Sequence, residues 1–292
     1  KKLLNIPNLH LIGSRENYKK IPIFSFLISY NGLFLHYNYV CALLNDLFGI
    51  QSSGGCMCAS LLGAKFLGIK ENVLNKLEKI SVEGKEIFRP GFTRINFHYM
   101  MNEAEINYIL SAINFVACFG WMFLSLYKFK IESGKYYHYN KKDENVWLNN
   151  FNKTDENFNK NTIIYADCKF DEQEVNKYLI EAYNTLLNLN TIIKNTLGKS
   201  KVNNKILFSE NNVCNSDDEG CCNDKYKEKL EKYRWFLLPD DCEENMNNSY
   251  SKIEEFIKKL VKDDNINTYD YEESFNFLKN DKISFSFYTK SL

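Results

Sequence analysis

The stretch "NEAEINYILSAINFVACFGWMF", residues 102–123, constrains the fold more than any other. It is rich in large apolar side chains, so most of it must leave water. Asn107, Ser111 and Asn114 interrupt it at intervals that suit a helix lying on a sheet. Asn102 is placed to cap that helix, and Glu103 and Glu105 favour the positive end of its dipole. The same interruptions break the run below the roughly 18 uninterrupted apolar residues that a membrane span needs. A core helix and no membrane partner are therefore expected. At 45% hydrophobic and 15% aromatic residues, the chain has material for a sizeable core.

The segments around this helix alternate between strand and helix patterns. "IPIFSFLISY" (21–30) is rich in Ile and Phe and reads as a strand. "LHYNYVCALLNDLFGI" (35–50) has apolar residues near helical spacing, with Gly49 as the stop. "FTRINFHYM" (92–100) reads as a strand after the Pro90-Gly91 turn. "LYKFKIESGKYYHYN" reads as strand, glycine turn and strand. The expected fold class is α+β, a small mixed and mostly antiparallel sheet with helices on one face.

Three stretches follow from composition: 1–140, 141–230 and 231–292. The middle one is an Asn/Lys-rich insert, expected to be largely flexible because it has little apolar surface to offset the entropy of ordering. It contains one strong helix pattern, 172–198, ending at Gly198. The last stretch reads as a short strand, "EKYRWFLLPDD" (231–241), a helix at 249–264 and an edge strand in "KISFSFYTKSL". Together these extend the α+β domain as a helical, insert-rich C-terminal region.

Charge excludes one class of partner. With 37 basic and 37 acidic side chains, the net charge is zero, and no nucleic-acid footprint is expected. The N-terminus lacks the pattern of a secretory signal, so the nine cysteines are expected to be thiols in an intracellular, reducing compartment.

The chemistry-bearing residues concentrate in "GIQSSGGCMCAS" (49–60). Cys56 and Cys58 lie on a loop of small residues, as an accessible nucleophilic thiol requires. The competing reading is two buried thiols without chemistry. No metal is expected, because Cys-x-Cys lacks the usual zinc spacing. Cys214, Cys221, Cys222 and Cys242 are irregularly spaced in a polar region and read as ordinary loop thiols. Arg94, inside a strand pattern, needs a partner and reads as an arginine paired with a carboxylate of the protein. His36 opens the helix before the cysteine loop and is a candidate cofactor contact by position, whereas His98 reads as structural.

Four segments together resemble the small C-terminal domain of class V (fold type I) pyridoxal-phosphate enzymes, whose best-known members are cysteine desulfurases and selenocysteine lyases. They are "RENYKKIPIFSFLI", "FLHYNYVCALLNDLFGIQSSGGCMCAS", "GFTRINFHYMMNEAEINYILSAI", and "GWMFLSLYKFKIESGKYYH" with "YRWFLLP". The resemblance covers roughly residues 8–140, with a thinner echo at 231–239. It implies a sulfur-accepting nucleophile at Cys58, with Cys56 as an extra thiol that accepts or resolves the persulfide. It implies a clamp for the substrate α-carboxylate at Arg94. The position before the glycine pair, often Arg in the subgroup, is Ser53 here. The resemblance further implies pyridoxal phosphate, an amino-acid substrate and a homodimer. The family's cofactor lysine belongs to a large N-terminal domain, and no lysine here sits in a matching motif. The expectation is therefore the C-terminal part of a longer enzyme, or a chain served by a separate cofactor-domain partner. The alternatives are a non-catalytic interaction module that lacks the cofactor, and an aminotransferase or lyase that does not use the loop cysteines.

Overall fold

A computed structural model describes residues 2–13, 21–55, 60–139, 171–197, 230–239 and 241–242 of the 292-residue chain. The strand patterns near the N-terminus form one antiparallel sheet. Its members are β1 (Leu9–Ile12), β2 (Ile23–Tyr30), β3 (Leu33–Phe34), β4 (Ser53–Gly55) and β5 (Phe92–Asn96). The order is β1-β2-β5-β4, and β3 folds back on β2 through the Asn31-Gly32 turn. The α+β class with a mostly antiparallel sheet is as expected. Among the described residues, the one parallel pairing is an isolated bridge between Phe34 and Phe236.

Alternation along the strands sets the two faces of the sheet. Phe26 lies opposite Thr93 and Phe24 opposite Ile95, so these four share a face. Thr93 Oγ1 donates to the Tyr37 carbonyl, which turns that face toward helix α1 (Tyr37–Phe48). Ser25, Arg94 and Ser53 are directly paired across β2, β5 and β4, so they share the other face.

Helix α1 buries Tyr37, Val40, Leu43, Leu44 and Phe48. It ends as its sequence requires: Gly49 takes φ of 64° and its N–H returns to the Asn45 carbonyl. Two helices that sequence reading did not anticipate follow, α2 (Ser60–Phe66) and α3 (Glu71–Val82). The signal for α3 was present. Val73, Leu74, Leu77 and Ile80 recur at helical spacing and are all buried.

The stretch at 102–123 forms α4 (Glu103–Phe119), and Asn102 and Glu105 build a complete capping box. The α-helix is shorter than the apolar pattern. From Gly120 to Leu126 the chain tightens into a 3-10 turn. The Tyr39 hydroxyl donates to the Gly120 carbonyl at 2.6 Å, and Trp121 Nε1 donates to the Cys118 carbonyl. These side chains take carbonyls that would otherwise continue the ladder. By length and composition alone, Glu103–Leu126 would pass for a membrane span, but 83% of its most apolar window is buried inside the protein. The expected one-sided stripe is a correction: Tyr108 to Phe119 are buried with the exception of Ser111, because α4 is covered on more than one side.

The second cover is α5 (Glu172–Leu197), the helix expected within the Asn/Lys-rich insert. Leu179, Ala182, Tyr183, Leu186 and Leu189 of α5 are buried, and Tyr183 meets Phe115 of α4 edge-on at 5.0 Å. After α4 comes the hairpin β6 (Tyr127–Phe129) and β7 (Tyr136–His138), with Gly134 at positive φ in its turn. The tail at 231–241 is not simply a strand. Residues 230–233 are helical, and only then does the chain extend along β3. The expected helix at 249–264, the expected edge strand at 282–292 and the Asn-rich segments flanking α5 lie outside the described residues.

Candidate functional site

The site is built from β4, β5 and the start of α1. The pair Gly54-Gly55 lets β4 lie against α1 without side chains. A Cβ on Gly54 would lie 2.7 Å from Tyr37 Cδ2 and 3.1 Å from Asn38 Oδ1. Gly55 adopts φ of 121°, a conformation suited to glycine. Gly91 is constrained from the opposite strand: its Cβ would meet the Gly55 backbone at 2.8 Å. The pair Gly54-Gly55 and the distant Gly91 thus allow one backbone crossing. Cys56 follows Gly55 directly in the chain, but Cys56 and Cys58 lie outside the described residues.

Arg94 is half-buried on β5, directly opposite Ser53 on one side and Ser25 on the other. Its Nε donates to Ser53 Oγ at 3.3 Å. Among the described residues it makes no ion pair with a carboxylate. The reading of Arg94 as half of an internal salt bridge therefore finds no partner here. The two Nη groups carry four N–H donors.

His36 is 1% exposed and both ring nitrogens are engaged. Nδ1 accepts from the Asn38 N–H as the N-cap of α1, and Nε2 donates to the Ile87 carbonyl at 3.1 Å. The ring packs against Tyr37, Tyr136 and Trp235. Burial holds its pKa down at about 3, against the hydrogen bond to Ile87 that raises it. With no nitrogen to spare, His36 is an interior cap and drops out of the candidate site. His98 is exposed and accepts from the Met100 N–H.

Cys41 was not singled out by sequence reading. It lies on α1 beneath β4, with its Sγ 3.3 Å from the place a Gly54 Cβ would take. Burial pushes its thiol pKa up, so it is not an activated nucleophile. Cys214, Cys221 and Cys222 lie outside the described residues, and Cys242 is buried. Among the described residues no group of three or more His, Cys, Asp or Glu side chains is arranged to hold a metal. Ser53 was noticed only as a departure from a pattern. Its contact with Arg94 depends on strand register, which local sequence does not reveal.

Comparisons with protein-family models, with curated proteins and with solved structures gave no match.

Pyridoxal phosphate needs a lysine amine for its Schiff base and an acid for its pyridine nitrogen. The residues paired with Arg94 and their neighbours along the ladder are Ile23, Ser25, Ser53, Gly55 and Asn96. None is a lysine or an acid. These residues do not fit the cofactor.

Proposed function

We propose that this chain is the carboxylate-binding, thiol-bearing portion of an enzyme resembling the cysteine desulfurases, acting on an amino acid. Arg94 binds the α-carboxylate and Cys58 accepts the sulfur, with Cys56 as a second thiol. Pyridoxal phosphate is held by residues outside the described part of this chain, in another domain or a partner chain. One observation carries the reading. An arginine fork that pairs with no carboxylate among the described residues lies one strand away from the backbone that leads directly into Cys56-Met57-Cys58. Exposed Ile21 and Ile23 precede Ser25 on β2, and exposed Tyr99 and Met100 follow β5 at the same end of the sheet. Apolar surface beside a site suits a domain that packs against another.

The test is the native protein, tagged and purified from its source cells. The expected result is a native species with bound pyridoxal phosphate, seen by its visible absorbance, that releases sulfide from L-cysteine. Cys58→Ser should abolish sulfide release and leave the cofactor bound. Retained activity in that variant would favour an aminotransferase or lyase that ignores the loop cysteines. Neither cofactor nor sulfide release would favour a non-catalytic module, a reading that the serines around Arg94 also suit.

A further inference from the structure

A guanidinium offers a carboxylate two bidentate edges. One uses Nε with one Nη; the other uses both Nη groups end-on. In Arg94 the first edge is occupied, because Nε donates to Ser53 Oγ at 3.3 Å. This contact follows from the fold, not from chance side-chain placement. Ser53 and Arg94 are register partners in the β4–β5 ladder, and the close crossing at Gly54, Gly55 and Gly91 holds β4 in place. On the far side Arg94 faces Ser25, a small side chain, across the β2–β5 ladder.

We infer that Ser53 is a positioning residue that commits Arg94 to end-on binding of a monocarboxylate through its two Nη groups. The inference rests on the proposed role of Arg94 and adds the geometry of its clamp. Serine suits the task because a neutral hydroxyl oxygen accepts the Nε proton without neutralising the guanidinium. An Asp there would occupy the same edge and compete with the ligand for the positive charge.

The experiment uses the full chain labelled with 15N-arginine. Its arginines are Arg15, Arg89, Arg94 and Arg234, so Arg94→Lys assigns the signal. Sodium propionate is titrated at constant ionic strength against sodium chloride. Two quantities are read: the propionate-dependent shift of the Arg94 side chain, and the rate at which its Nε–H exchanges with water. Ser53→Ala should speed that exchange about tenfold and weaken propionate binding about threefold or more. Ser53→Thr, which keeps the hydroxyl on the strand, should restore both. If propionate moves the wild-type Arg94 signal but Ser53→Ala changes neither quantity by twofold, the positioning role is wrong and the clamp survives. If propionate does not move the wild-type signal at all, the clamp itself is wrong and the role of Ser53 goes with it.

Discussion

Arg94 and His36 show how residues with similar sequence credentials separate once their hydrogen bonds are known. Arg94 pairs with no carboxylate among the described residues and donates from Nε to Ser53, which is what its proposed role requires. On the proposed function, replacing it by Ala should raise the KM for the amino acid at least about tenfold, as expected for losing a charge-assisted pair of about 1.5–3 kcal/mol. Steady-state kinetics decide this, and an unchanged KM would remove Arg94 from the site. His36 instead makes folding sensitive to pH. Its folded pKa of about 3 lies below the ordinary 6.5, so the unfolded chain takes up a proton first as the pH falls. Its contribution is fully present above about pH 6.5 and is lost between about 6.5 and 3, at up to about 1.4 kcal/mol per pH unit. His36→Asn replaces the capping Nδ1 with a side-chain oxygen that can accept in its place but cannot titrate. Its urea midpoint should depend less on pH than the wild type's across that window.

At the scale of elements, the cap and the glycine crossing make opposite demands. The capping box at α4 is local: Glu105 N donates to Asn102 Oδ1 at 2.8 Å, and Asn102 N to Glu105 Oε2 at 2.6 Å. Asn102→Ala should cost about 1 kcal/mol, read as a lower urea midpoint with an unchanged slope. The crossing of β4 over α1 is non-local and intolerant of a methyl group. Gly54→Ala would drive its Cβ into Tyr37, and Gly91→Ala into Tyr37 and the Gly55 backbone. Each should destabilise by about 1–3 kcal/mol. Gly91→Ala should be the worse, because backbone cannot swing aside as a side chain can. Equal midpoints for Gly91→Ala and wild type would show that the crossing is looser than described. The asymmetry explains why the helix at 102 was readable from sequence and the site was not. Asn102 and Glu105 are three residues apart, whereas Gly91 and Gly55 meet across a sheet.

Across the whole molecule, the tail closes the core. Trp235 is buried, donates from Nε1 to the Phe88 carbonyl and stacks on His36. Arg234 is 9% exposed and is gripped by Glu231 and by Asp241, the latter at 2.6 Å. It also donates to the Phe236 carbonyl at 2.8 Å. Trp235→Ala should cost about 3–5 kcal/mol and leave the Phe88 carbonyl without its donor. Thermal unfolding should show one transition at a lower temperature; a persistent wild-type midpoint would mean that the tail is dispensable. The sequence by itself determined the antiparallel sheet, α1 with its Gly49 stop, the capped core helix, the hairpin and the helix at 172, because periodicity and caps are written within a few residues. Only the tertiary structure decided that α5 covers α4, that His36 is sealed inside, and that Ser53 and Arg94 meet. Those facts depend on strand register and on which apolar faces find each other, and both are settled by contacts between residues far apart in the chain.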